Sequence, residues 1–168
     1  MPLNIMDPYP AITRLELQQF ENKLGFVLPA DYKAFLLENN GGIPESELFW
    51  SEPRQQELEV SYFLGLDPTQ TDANTEGFYD LNCAYEDLLF YNLQQGFLLP
   101  IAPDSEGNDY CLSLREQDYG QIYLWDQEDL PCTYDENDIP NGIDEAKLQQ
   151  SLCFESFEAL VKQRASIN

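Results

Sequence analysis

The chain has 168 residues, with 31 Asp or Glu against 8 Lys or Arg, a formal charge of −23 and no His. A field of that sign repels nucleic acid and anionic lipid, which are bound by Lys and Arg that displace counterions, and the lack of His removes His-based triads and the usual general base. It suits a soluble protein, or one that steers a basic partner in and raises association rates roughly 10 to 10³-fold.

The first dozen residues carry three prolines and read as an extended arm, with no basic stretch or apolar run of a secretion signal, so the cytoplasm is the expected location. Thr13 and Glu16 form a capping box, and Leu17, Phe20 and Leu24 follow at helical spacing up to Gly25. Pro29 and Asp31 restart a helix whose inward face is Tyr32, Phe35 and Leu36, and 39–42 (Asn-Asn-Gly-Gly) end it, with Gly in the left-handed cap conformation. Residues 43–56 read as a polar loop with Phe49 and Trp50 its large apolar side chains. Residues 59–66 are rich in β formers and predict the first strand. A third helix is expected over 81–93 on Leu81, Tyr85, Leu88, Leu89 and Asn92, and a buried strand over 97–101.

Residues 104–109 are a turn, and 110–114 and 120–126 are an antiparallel pair of strands joined by 115–119. The second strand places Gln121, Tyr123 and Trp125 on one face and Ile122 and Leu124 on the other. Residues 127–152 are acidic, with Pro131, Pro140 and Gly142, and read as a loop; a capped helix over 156–162 closes the chain. Antiparallel strands with helices grouped at the ends indicate an α+β fold: a single antiparallel-rich sheet of about four to six strands, covered on one side by flanking helices, in one domain over 1–168. The strongly aromatic composition, 13 % Phe, Tyr and Trp, is enough for a real core. No apolar run approaches the roughly 20 residues that span a bilayer.

Cys83, Cys111, Cys132 and Cys153 are far apart and form no CxxC pair, so free thiols are expected and no structural zinc site. Gly41-Gly42 lacks the rest of a phosphate loop and ends a helix where such a loop opens one. The carboxylates of 104–109 and 135–138 do not match an EF-hand and read as solvated turns. Glu86-Asp87 and Glu128-Asp129 are adjacent, so their side chains point apart and make poor acid–base dyads. Trp125 reads either as packed on the sheet or as an exposed aromatic beside Asp126. Phe49 and Trp50, among Glu45, Glu47 and Glu52 in a loop, suit a basic partner face.

The segments Phe20-Glu21-x-x-Leu24-Gly25, Leu28-Pro29-x-Asp31-Tyr32-x-x-Phe35-Leu36 and Asn40-Gly41-Gly42 resemble the N-terminal signature of the SUKH superfamily, the SMI/KNR-type proteins. So do Leu99-Pro100-Ile101-Ala102 through Asp104, Gly107-Asn108 and Tyr110-Cys111-Leu112, then Gly120-x-Ile122-Tyr123-x-Trp125-Asp126 and Ser156-Phe157-Glu158-Ala159-Leu160. The resemblance implies an α+β sheet with flanking helices and no catalytic site. It also implies an immunity protein that binds and neutralises a polymorphic or contact-dependent toxin, often a nuclease or deaminase. The segment 127–152 is long for the family.

The expected function is therefore non-catalytic binding of a basic protein, a nearby-encoded toxin domain, without nucleic acid, membrane, metal or cofactor, by a monomer or weak dimer. The alternatives are a regulatory scaffold for a cellular protein, as in cell-wall assembly regulators, and an enzyme with carboxylate or metal chemistry. The expected contacts are Glu45, Glu47, Phe49, Trp50 and Glu52; Asp104, Glu106 and Asp109; and Trp125, Asp126, Glu128, Asp129, Asp135, Glu136 and Asp138.

Overall fold

The computed structural model describes residues 3–68, 79–89 and 96–162. The N-terminal arm is tied down by β1 (Ile5–Met6), which pairs antiparallel with β2 (Ile43–Pro44). Helix α1 (Arg14–Leu24) opens on the capping box: Thr13 Oγ1 accepts from Glu16 N at 3.1 Å, and Glu16 Oε1 accepts from Thr13 N at 3.0 Å. Gly25 ends it at φ 79°, a left-handed cap that a side chain would strain. Glu21 then accepts from Leu28 N at 2.7 Å, which joins α1 to the start of α2 (Ala30–Glu38). Asp31 works twice, accepting from Tyr32 N in its own helix and from Glu158 N in the last helix at 3.0 Å.

The end of α2 departs from expectation. Its cap is Asn39 in extended conformation, not a left-handed glycine. Gly41 and Gly42 do have positive φ, but for a crossing of chains. A Cβ on Gly41 would lie 2.6 Å from Gly65 N, and Gly42 bridges Phe63 by paired backbone bonds. Buried Asn40 clamps that crossing through Pro10 O, Leu66 O and Leu66 N.

Residues 43–56 are not a loop. β3 (Leu48–Ser51) and β4 (Gln56–Glu59) form an antiparallel hairpin. The expected strand over 59–66 is a regular strand only at Glu59; beyond it the backbone bonds singly, Ser61 N to Pro103 O and Leu64 N to Ile101 O, with an isolated bridge at Phe63. Helix α3 (Leu81–Leu89) starts at buried Asp80, which accepts from Cys83 N and Asp67 N. Residues 90–93 of the expected helix, Asn92 among them, lie outside the described residues.

The main sheet is β5 (Leu98–Pro103), β6 (Asp109–Ser113), β7 (Ile122–Trp125) and β10 (Leu152–Phe154), all antiparallel in the order β10-β7-β6-β5. One face (Leu99, Ile101, Tyr110, Leu112, Ile122, Phe154) packs on α1, α2 and α5 (Phe157–Val161). Edge-to-face contacts among Tyr32, Phe35, Phe49, Phe63 and Phe157 hold that layer together.

The opposite face is covered too, contrary to the one-sided expectation. Leu98, Cys111, Tyr123 and Trp125 there meet Leu88, Cys132 and Leu148. Leu148 and Cys132 come from 127–152, which is no irregular loop. It holds the hairpin β8 (Cys132–Tyr134) and β9 (Pro140–Ile143), then α4 (Glu145–Gln150), capped by Asp144. All four cysteines are free and buried.

Candidate protein-binding face

Two turns that are separate in sequence meet at one end of the main sheet. Between β5 and β6, Asp104 Oδ1 accepts from Glu106 N and Asn108 N, both at 2.9 Å. After β7, Asp126 Oδ1 accepts from Glu128 N at 2.9 Å, the bond of an Asx turn. Gln127 N donates to Asn108 Oδ1 at 3.0 Å and locks the two turns side by side. Glu59, at the end of β4, joins them: its Oε2 accepts from Ser105 N at 2.7 Å. Burial opposes ionisation of Glu59, yet the Ser61 and Ser105 hydrogen bonds prevail and hold its carboxyl below the usual range. The end of the sheet thus gathers Glu59, Asp104, Glu106, Asp109, Asp126 and Glu128.

Asp109 differs from the others. It stands opposite Trp125 across β6 and β7, so both side chains lie on the same sheet face. Its carboxyl is pushed up to about 6, first by burial and then by the charges of Asp104 and Asp87. Asp87 on α3 takes the Tyr79 hydroxyl at 3.0 Å, while its neighbour Glu86 turns to Lys23 on α1 at 3.3 Å. The two adjacent carboxylates do point apart.

Of the cations, Lys147 reaches this end, on Asp129, and Arg115, Lys33 and Arg54 are engaged elsewhere. Arg115 donates to Asp118 at 2.9 Å and Glu145 at 2.6 Å, and its guanidinium lies 4.1 Å over the Phe97 ring. Asp118 is also held by the Ser113 and Tyr123 hydroxyls; against burial, these and Arg115 keep its carboxyl low. That network fastens α4 to the turn after β6. Lys147 is spent on Asp129, Lys33 on Glu21, and Arg54 donates to Gln150 O.

The remaining expected contacts are scattered. Glu45, Glu47 and Glu52 are exposed along β2 to β4, with Glu45 bonded to Asn4 at 2.7 Å. Trp50 is half-buried, its Nε1 donating to Glu52 at 2.9 Å. Phe49 is 4 % exposed and belongs to the core, because the β3 hairpin alternates and turns it inward. Trp125 is 1 % exposed, so it is no surface contact either. Glu136 and Asp138 are exposed at the tip between β8 and β9, where Asp135 accepts from Asn137 N and Ile139 N. Glu59, Asp87 and Tyr79 were missed as members of the acidic end. No sequence signal marks them, since only the crossing of β4 and α3 past the sheet brings them there.

Among the described residues no group of three or more His, Cys, Asp or Glu is set to hold a metal ion. No helix among them is long and apolar enough to cross a membrane.

Residues 11–163 match the model of the SMI1 / KNR4 family (SUKH-1). The chain belongs to that family. It is also 32 % identical over 131 residues to the SPbeta prophage-derived uncharacterized protein YokK of Bacillus subtilis (strain 168). That alignment covers 71 % of this chain and 65 % of the relative. The SUKH-1 match confirms the resemblance seen in the sequence, and the two-helix start and antiparallel sheet bear out the α+β architecture.

Proposed function

We propose that this SUKH-1 protein is a non-catalytic immunity protein, which binds a basic toxin domain encoded nearby and occupies its substrate cleft with carboxylates in place of phosphates. The observation that carries this reading is the acidic end of the sheet: two rigid turns locked by the Asn108–Gln127 bond, where Lys147 pairs with Asp129 and leaves Asp104, Glu106, Asp126 and Glu128 without an ion pair among the described residues. Turns held by their own Asx bonds present charge with little entropy left to lose on docking. A prophage-derived relative supports the reading, since mobile elements are a natural setting for toxin and immunity genes.

The test is co-purification of the chain with the product of the adjacent gene, followed by titration at low and high salt. A complex that weakens steeply between 50 and 500 mM salt, on the scale expected for screened pairs, supports it. No complex with that product overturns it.

A further inference from the structure

Between α2, α5 and the N-terminal arm lies a groove of about 480 Å³, within the usual range of ligand sites, about 300–1,000 Å³. Its floor is Leu3, Ala34, Phe35 and Val161. Ala34 is exposed and Leu3 and Val161 are half-buried, so this apolar floor meets solvent; Phe35, 8 % exposed, closes it underneath. The concavity follows from the sequence of α2. Asp31, Ala34 and Glu38 share one helix face, and the smallest of the three side chains stands in the middle. The walls are fixed. Asp31 Oδ2 accepts from Glu158 N at 3.0 Å, and the Phe157 ring packs on Tyr32 at 5.1 Å and on Phe35 at 4.9 Å. The rim is three carboxylates, Asp31, Glu38 and Glu158, against one cation, Lys162. Glu38 and Glu158 are exposed and enter no ion pair among the described residues; Asp31 meets two backbone N–H groups. The groove thus joins apolar surface left in water to negative charge left without a partner.

We propose that this groove docks a basic segment of a protein partner, with a large apolar side chain seated on Ala34 and Val161 and flanking Arg or Lys side chains on Glu38 and Glu158. Charge complementarity selects that guest. The flanking cations answer the surplus of carboxylates, and their methylene stems add to the apolar contact. Nucleic acid and anionic lipid bring more negative charge to the rim. A second copy of this chain brings another formal −23. A purely apolar guest leaves the rim unused. Because the walls are already held together, little ordering remains to oppose docking. The groove shares no residue with the acidic end of the sheet, so this surface and the immunity role can each fail alone.

The test titrates a blocked Arg-Leu-Arg peptide into the full chain and follows the methyl resonances of Ala34 and Val161. Glu-Leu-Glu and Arg-Ser-Arg are its counterparts, one with the charge reversed and one without the apolar side chain. A saturable shift is expected, with at least about tenfold weaker binding of either counterpart, the scale of a lost apolar side chain or of two exposed ion pairs. Ala34→Gln sets a longer polar side chain in the middle of the groove at an exposed helical site that tolerates Gln. It should abolish the Val161 shift with the thermal midpoint unchanged. Glu38→Gln together with Glu158→Gln leaves the floor intact and should weaken Arg-Leu-Arg binding about tenfold. No Val161 shift, equal binding of Arg-Leu-Arg and either counterpart, or undiminished binding by either variant overturns it. A dimer of this chain that Ala34→Gln dissolves overturns it in favour of a second copy. Peptide binding that appears only when residues 163–168 are deleted overturns it in favour of that segment.

Discussion

Asp109 makes the sheet end less stable than it could be, and the pH dependence of that effect can be worked out. Its carboxyl titrates near 6 in the folded chain against 3.8 for an unperturbed Asp, because burial and the charges of Asp104 and Asp87 favour the protonated form. Below about pH 4 the carboxyl is protonated in both states and has no effect. Between about 4 and 6 the unfolded chain releases the proton while the folded chain keeps it, so stability falls as pH rises. Above about 6 both states are ionised and the loss levels off. Each tenfold change in proton affinity is about 1.4 kcal/mol, which sets a ceiling of about 3 kcal/mol; water at the half-buried carboxylate trims this to about 2 kcal/mol. Asp109→Asn keeps the shape of the protonated acid and never ionises. Urea unfolding of both chains across pH 4 to 8 should therefore show nearly equal stability at the acid end and a variant about 2 kcal/mol more stable at pH 8. Subtracting one curve from the other cancels the titration of the remaining carboxylates. A difference that stays flat across that range, or a variant less stable at pH 8, refutes the reasoning.

Arg115→Met should cost about 3–5 kcal/mol at pH 7, since it strands the carboxylate of Asp118, whose side chain is 5 % exposed. Glu145→Gln at the other end of the same network, 56 % exposed, should stay within about 1 kcal/mol; chemical denaturation of the two variants compares them directly. Phe49→Ala should lose about 3–5 kcal/mol by emptying space against Phe63, which a drop in thermal midpoint would reveal. Thr13→Ala should cost about 1 kcal/mol by releasing the capping box of α1, with Thr13→Ser close to wild type by the same measurement.

Much of the local structure was legible in the chain because it depends on neighbours in sequence. The capping box at Thr13, the left-handed stop at Gly25 and the Asx turn at Asp126 are all made between residues a few positions apart. Strand β7 also carried a signal that both sheet faces are buried: Ile122, Tyr123, Leu124 and Trp125 are apolar without alternation, as in a strand covered on two sides. The covering layer itself was hidden. Cys132 and Leu148 are isolated apolar residues in a polar, acidic segment, and too few to announce a hairpin and a helix.

The charge that opened the reading was a property of composition, and composition alone says where nothing is. The order of helices and antiparallel strands, and with it the family, was written in local punctuation. Tertiary structure decided the site. Glu59, Asp87 and Asp109 come from three elements, and Asn108 and Gln127 are 19 positions apart. Their meeting depends on which strand lies beside which and on which way each side chain faces. The same packing turned Phe49 and Trp125 inward, because a large aromatic gains more from the core than from water unless the sheet leaves it no room there.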